Sequence, residues 1–218
     1  MSDVDPKAGG LLSRRELTAR GWSKAMIAQL LDPPDAERPN PFYRTSAPMR
    51  FYSRERVERV ESEAEFARLR DLARRRSESA RAAASRRRDA LLERIRAVEV
   101  AVPSLTPDRL RLAAVAHRNR REFERCYLLP GMDGSEASAD AVDAATLRRW
   151  EVNYLRHELT GYDSLLADVE GRVGREAAER LIRTKVYAAI AAKYPLLRDE
   201  CRRQLEARGV ADDYVRAS

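Results

Sequence analysis

The chain has 218 residues, which is enough for one domain of ordinary size or for two small ones. Charged residues make up 35% of it and aromatic residues only 6%, so its cores must be modest and built mostly of Ala, Leu and Val. The polar first ten residues do not resemble a signal peptide, no apolar run approaches the length of a membrane span, and the two cysteines make no disulfide framework. We therefore expect a soluble cytoplasmic protein with no membrane partner.

The net charge of +7 is concentrated in one segment. Residues 68–96 hold 11 arginines against 4 acidic residues, which is a net charge of +7, so the rest of the chain sums to zero. A local basic stripe creates a field that attracts polyanions.

Two short helices open the chain after a loose tail at residues 1–10. Ser13 and Glu16 form a capping-box pattern at the start of the first helix, and Gly21 ends it. Ser23 caps the second helix, whose apolar residues are expected to face inward.

A proline-rich stretch and a hairpin follow. The stretch DPPDAERPNP is expected to lack regular structure, because proline and asparagine interrupt it. The stretch FYRTSAPMRFY, with strand-forming residues around a Ser-Ala-Pro turn, predicts a small β-hairpin.

Residues 53–98 contain no helix breaker and predict one long helix. Its two ends carry apolar residues, but the stretch ARRRSESARAAASRRRD at 73–89 has seven arginines, two acids and no apolar side chain larger than alanine. Residues 73–89 also lack the apolar seam of a coiled coil, so residues 68–98 are expected to form a basic connecting helix. The sequence therefore predicts two packed parts joined by an exposed helix.

The C-terminal part, residues 104–218, predicts a helical bundle. Thr106 and Pro107 start a helix that runs to about Tyr127, and a flexible loop is expected near residues 130–143. Three more helices are expected, from about 144 to 169, from the glycines near 171–174 to 194, and from about 196 to 208. We expect this domain to form a homodimer or to recruit a partner.

The N-terminal part resembles a known DNA-binding module. ELTARGWSKAMIAQLL followed by NPFYRTSAPMRFYSRERVERVE is similar to the short module in the DNA-binding domain of the xeroderma pigmentosum group A family of repair proteins, which is related to MerR-type winged helices. The shared features are an Asn-Pro pair, a Met-Arg-aromatic-Tyr strand at 49–52 and a following helix that contains Val57. The resemblance implies a winged-helix-like module at residues 11–67 in a mainly α protein. The four-cysteine zinc site of that family is missing, so damage recognition is not implied.

The whole chain is also similar to a set of uncharacterised bacterial proteins. They pair this module with a C-terminal helical domain that carries a motif like VNYLRHELTGYDSLL and an ending like YP…EC.RQ. This resemblance implies the two-part architecture and names no reaction.

A helix-turn-helix places its second helix in the major groove and uses flanking elements on phosphates. We therefore expect nucleic-acid binding, chiefly to duplex DNA, with weak sequence specificity. The expected contact residues are Arg14, Arg15, Arg20, Ser23, Lys24, Gln29, Arg44, Arg50, Arg70, Arg74, Arg75, Arg81, Arg86, Arg87 and Arg88. The alternatives are a protein-binding adaptor whose arginine helix docks an acidic partner and a basic helix that is only a solvated linker.

The motif NYLRHELTGYD concentrates chemically active side chains. A metal-dependent nuclease built on His157, Glu158 and Asp163, or a general base at His157, are the catalytic alternatives. The spacing is not that of HExxH metalloproteases, and the two histidines and two cysteines lack the close pairs of structural zinc sites. We prefer a structural role for these residues and expect no cofactor and no metal.

Overall fold

The computed structural model describes residues 10–39, 47–128 and 135–209. This part of the chain is mainly helical with one small antiparallel sheet near its N-terminus, which confirms the predicted fold class. The chain divides into two compact units, Met1–Ala83 and Ala84–Ser218, each with its own apolar core. Within the described residues no helix is long and apolar enough to cross a bilayer.

The N-terminal unit combines short helices with a three-stranded sheet. Its elements, in chain order, are β1 (Leu11–Ser13), α1 (Arg14–Ala19), α2 (Lys24–Leu30), β2 (Ala36–Arg38), β3 (Met49–Ser53), α3 (Arg54–Glu61) and the first part of α4 (Ala64–Ala97). β3 lies in the middle of the sheet and pairs antiparallel with both other strands, Leu12 opposite Tyr52 and Glu37 opposite Arg50.

Local sequence signals explain how the first two helices begin. The Ser13 backbone N–H donates to the Glu16 carboxylate at 2.7 Å, and the Ser13 hydroxyl accepts from the Glu16 N–H, so the predicted capping box is confirmed. The Ser23 hydroxyl accepts from the Met26 N–H at 3.2 Å and caps α2. Gly21 joins the two helices with φ of +92°, a conformation that favours glycine.

Trp22 is the centre of the N-terminal core. It is 2% exposed, and its ring lies 4.6 Å from that of Phe66 on α4. Its indole N–H donates to the Glu61 carboxylate at 2.8 Å, and Arg20 donates to the same carboxylate at 2.9 Å. The Arg20 hydrogen bond is the main reason that the pKa of Glu61 is lowered. This network ties the α1–α2 turn to the end of α3.

Two predictions for this unit were wrong. The proline-rich stretch contains strand β2, because Ala36–Arg38 pair along β3 directly after the Asp-Pro-Pro-Asp run at residues 32–35. The hairpin partner of Met49–Ser53 is therefore β2; the segment predicted as its first strand lies outside the described residues. The long helix predicted for residues 53–98 is interrupted at Ser62, whose hydroxyl donates to the Arg59 carbonyl and competes with helix continuation.

The C-terminal unit is built from helices alone among the residues described. Its elements are the second part of α4, α5 (Pro107–Leu128), α6 (Ala144–Tyr154), a π-helical turn (Leu155–Leu159), α7 (Tyr162–Val169), α8 (Arg175–Lys193), a 3-10 turn (Pro195–Leu197) and α9 (Arg198–Glu206). α8 forms the middle of the core and buries Ile182, Val186, Tyr187 and Ile190 completely.

Caps and glycines again fix the helix ends in this unit. Thr106 accepts from the Arg109 N–H as predicted, and Asp143 accepts from the Ala145 and Thr146 N–H groups at 3.0 and 2.9 Å. Gly174, directly before α8, has φ of +88°, and a Cβ added there would clash with the Arg88 side chain, so this position requires glycine.

The single helix predicted for residues 144–169 was wrong. After Tyr154 the chain widens into the π-helical turn, and Gly161, with φ of +63°, separates this turn from α7. The Thr160 hydroxyl donates to the Arg156 carbonyl and satisfies an oxygen that the interrupted helix leaves free. This break places residues of the RHELTGYD motif on two different elements.

The predicted flexible loop is partly held in place. Residues 129–134 lie outside the described chain. After them, the Ala137 N–H donates to the side-chain oxygen of Asn119 on α5, and the Asn119 side-chain amide donates to the Ala137 carbonyl, both at 3.0 Å. Arg118 also donates to the Ser135 carbonyl. The segment after residue 134 therefore packs along α5.

The two cysteines are expected to differ sharply in reactivity. Cys201 is fully buried in the core, and burial raises the pKa of its thiol to about 12, whereas Cys126 is partly exposed. We expect a thiol reagent at neutral pH to modify only Cys126 in the native protein, and both cysteines after denaturation. Mass spectrometry of the labelled peptides checks this, and rapid native labelling of Cys201 would contradict the packing described.

Candidate functional site

Acidic neighbours neutralise part of the basic helix. Arg74 forms ion pairs with Asp71 at 3.0 Å and with Glu78 at 3.1 Å, and Arg75 reaches Asp71 at 3.4 Å. Arg88 pairs with Asp89 at 3.2 Å. Asp71 lies just before residues 73–89, so it is not among the two acidic residues of that stretch, yet it pairs with two of the arginines there. These pairs are exposed, so each contributes little to stability.

Four of the predicted contact arginines on α4 make no ion pair within the described chain: Arg70 and Arg81, in the N-terminal unit, and Arg86 and Arg87, in the C-terminal unit. All four are exposed. Arg70 lies over the Phe66 ring with its guanidinium carbon 5.6 Å from the centroid, and it packs against Gly21. Arg70 therefore also serves the N-terminal core.

The predicted contact residues of the N-terminal unit fall into two groups. Arg14, Arg15, Lys24 and Gln29 are exposed, so the solvent face of α2 offers two long polar side chains beside alanines. The other three have partners of their own: Arg20 is bound to Glu61, Ser23 caps α2, and Arg50 pairs with Glu37 at 3.0 Å. Arg44 lies outside the described residues.

The fold brings the two histidines of the chain together. His117 on α5 and His157 on the π-helical turn stack with ring centroids 6.4 Å apart. Asp163, from α7, lies 2.8 Å from the His157 Nδ1, and the Glu158 carboxylate lies 3.4 Å from the His117 Nε2. The three candidate catalytic residues thus lie in one cluster. That His117 joins them follows from the packing of α5 and not from any local sequence pattern.

Both ring nitrogens of His157 are occupied. Asp163 accepts a hydrogen bond from Nδ1, which leaves Nε2 as the acceptor for the Arg156 guanidinium at 2.6 Å. In this geometry the lone pair of His157 is not available to a substrate proton, so His157 holds Arg156 in place and is not a free general base.

Both histidines are expected to have a lowered pKa. Burial is the main cause that lowers the pKa of His117 and of His157 below 6.5, and it outweighs the nearby carboxylates. In the unfolded chain both imidazoles have their ordinary pKa and bind protons more readily than in the folded protein. The contribution of the two neutral histidines to the free energy of unfolding is therefore fully present above pH 6.5 and is lost as the pH falls below it. An NMR titration of the two imidazole signals, assigned with His117→Gln and His157→Gln, checks this prediction. A midpoint above 6.5 for either ring would contradict it.

Arg156 is the least expected member of this cluster. Its side chain is buried, with 6% exposed, and its guanidinium donates to the Tyr187 hydroxyl at 2.6 Å. It also lies over the rings of Tyr162 and Tyr187, 5.0 and 5.7 Å from their centroids. No carboxylate within the described chain pairs with it, and its Nε has no hydrogen-bond partner.

A cavity of about 910 Å³ opens beside this cluster, between α5 and α6. Arginines dominate its lining, which is Arg118, Arg121, Arg125, Arg149 and Arg156 with His117, His157, Trp150, Asn153, Leu128, Glu122 and Glu124. Sequence reasoning missed most of these residues. The only signal for them is the helical spacing of basic residues along α5 and α6, which is hard to separate from ordinary surface charge.

Within the described residues, no group of three or more His, Cys, Asp and Glu side chains is placed to hold a metal ion. The metal-dependent form of the nuclease alternative therefore has no ligand set there. Comparison of the chain with known protein families, with curated proteins and with solved structures gives no match.

Proposed function

We propose that the protein binds nucleic acid, chiefly duplex DNA, through exposed arginines of α4 and basic side chains of the N-terminal unit. One observation carries this proposal: Arg81, Arg86 and Arg87 are exposed and have no ion pair in the described chain, within a segment of net charge +7. Like charges at such spacing repel one another, and a row of phosphates offsets that repulsion.

The arginine side chain suits this role. Its planar guanidinium donates two parallel hydrogen bonds to a phosphate, and binding releases the counterions condensed on the duplex. Acidic residues pair with Arg74, Arg75 and Arg88, so these arginines must exchange one partner for another to reach a phosphate. The unpaired arginines therefore contribute more to binding than the paired ones.

The N-terminal unit supports a winged-helix-like interpretation. Two short helices joined by a tight turn precede a β2–β3 pair and a third helix, and this order is that of a helix-turn-helix with a wing. The exposed face of α2 presents Lys24 and Gln29 beside Ala25 and Ala28. With so few side chains able to reach base edges, binding has weak sequence specificity and depends mainly on phosphates.

Binding to a labelled random-sequence duplex, followed by fluorescence anisotropy at low salt, tests the proposal. The duplex is compared with single-stranded DNA, with RNA of the same sequence and with poly-glutamate, which stands for an acidic protein partner. Tighter binding to the duplex supports the proposal. Binding to poly-glutamate alone favours the adaptor alternative, and binding to none of the nucleic acids overturns the proposal.

We further propose that the C-terminal unit self-associates, in keeping with a cytoplasmic DNA-binding dimer. Exposed apolar side chains on α5 support this: Phe123 and Tyr127 are 72% and 81% exposed. Light scattering of the wild type and of Phe123→Glu/Tyr127→Glu distinguishes a dimer from a monomer, and a monomeric wild type at all concentrations contradicts it.

A further inference from the structure

The cavity between α5 and α6 contains a buried cation without a buried anion. Arg156 is 6% exposed, and its hydrogen-bond partners are the hydroxyl of Tyr187, the Nε2 of His157 and, at 3.5 Å, the amide oxygen of Asn153. All three groups are neutral, since His157 has a lowered pKa. A buried charge is costly unless an opposite charge or a full set of hydrogen bonds compensates it, and the Arg156 Nε has no partner at all.

A second buried polar atom on the cavity wall is also unsatisfied. The Nε2 of His117 makes no hydrogen bond, and the side chain is only 4% exposed. The Glu158 carboxylate lies 3.4 Å away without making a hydrogen bond to it, and the same oxygen accepts from Arg120 at 2.7 Å. Both unsatisfied atoms belong to side chains that line the cavity, so its wall carries hydrogen-bonding capacity that the described residues do not satisfy.

The rest of the lining has the charge that an anion needs. Five arginines face two glutamates, and one of these, Glu122, pairs with Arg125 at 2.5 Å. Arg121 and Arg149 are exposed and make no ion pair within the described residues. The sum is a net charge of +3 with both histidines neutral.

The cavity is larger than a bare phosphate requires. Its volume of about 910 Å³ accommodates a phosphorylated compound with a ring system. Trp150 on the wall supplies an aromatic surface, and Arg118 lies 5.4 Å from its centroid. A planar ring can pack there while its phosphate reaches the arginines.

We propose that this cavity binds a phosphate monoester, with Arg156 as the central guanidinium and with Arg121, Arg149 and His117 completing the site. His157 and Asp163 are positioning residues, because Asp163 fixes the imidazole tautomer that holds Arg156. The source of the phosphate is either a small molecule such as a mononucleotide or the terminal phosphate of a nucleic acid. None of these residues lies on α4, so phosphate binding at this cavity and DNA binding by α4 can be tested independently.

Isothermal titration calorimetry on the full chain tests the site with inorganic phosphate, AMP and adenosine. We expect AMP to bind with a Kd of about 1 mM or tighter and adenosine to give no binding heat. A 5′-phosphorylated trinucleotide is compared with its 5′-hydroxyl form. If AMP binds, preference for the phosphorylated trinucleotide over its 5′-hydroxyl form indicates that a nucleic-acid end also fits the site. If AMP binds and the two trinucleotides do not differ, the ligand is a small molecule; both results support a phosphate monoester site.

Variants decide whether the binding is at this cavity. Arg121→Ala/Arg149→Ala is expected to weaken AMP at least about tenfold, since two charge-assisted contacts are lost. Arg109→Ala, an exposed arginine on α5 outside the cavity lining, is the control and leaves the affinity unchanged. Arg156→Lys keeps the charge but loses the planar donor pair, and it is also expected to lose about tenfold. If Arg156→Lys does not fold, the double variant alone decides. Equal AMP affinity in the wild type and the double variant, or no AMP binding to the wild type, overturns the proposal.

Discussion

Replacing Trp22 by alanine is expected to lower the unfolding free energy of the N-terminal unit by about 3–5 kcal/mol. The side chain is 2% exposed and packs against Phe66, so its removal leaves a large cavity in a small core. It also removes the indole donor from Glu61, which then depends on Arg20 alone. Most of the stability of a small unit is therefore lost with one side chain.

Trp22→Phe is the matched control for this prediction. It retains an aromatic ring against Phe66 and loses the hydrogen bond to Glu61, at a cost of about 1–2 kcal/mol. Hydrogen exchange of peptides that contain Leu17 and Val57 reports the N-terminal core separately from the C-terminal unit. Protection in Trp22→Ala equal to that of the wild type would contradict the central position given to this side chain.

Replacing Arg81, Arg86 and Arg87 together by alanine is expected to weaken duplex binding about a hundredfold at low salt, since three phosphate contacts are lost. The three side chains are exposed, and alanine is a better helix former, so the fold of α4 is retained. Fluorescence anisotropy with a random duplex measures the loss, and circular dichroism verifies the helix content.

The control for this variant removes the same charge from arginines that are already paired. Arg68, Arg96 and Arg180 are bound to Glu65, Glu93 and Glu176, and their joint replacement by alanine also changes the net charge by three. We expect this control to lose far less affinity than the first variant. Equal losses in the two variants would mean that duplex affinity depends only on the net charge of the protein and that the unpaired arginines do not contact phosphates.

Local signals account for the features that could be predicted from the sequence. A cap depends on residues within one turn, so Ser13 with Glu16, Ser23, and Thr106 before Pro107 marked helix starts that the structure confirms. The exposure of the arginine stretch was likewise predictable, because no side chain there is large and apolar.

Contacts between distant residues account for what was missed. Strand β2 forms because β3 offers it a partner, and this pairing overrides the local effect of proline. The meeting of His117 with His157 depends on the packing of α5 against the π-helical turn, which no local pattern encodes. Arg156 belongs to the motif that the sequence singles out, but only the fold shows that it is buried against Tyr187 and Tyr162.

The salt dependence of duplex binding shows whether the basic helix contacts phosphates. The slope of log K against log salt counts the phosphates neutralised, at about 0.9 for each contact. For Arg81→Ala/Arg86→Ala/Arg87→Ala we predict a slope shallower than that of the wild type by about 2–3, with the slope of the paired-arginine control close to the wild type. Identical slopes for all three proteins, or a wild type that does not bind the duplex at low salt, would contradict a phosphate-binding role for the basic helix.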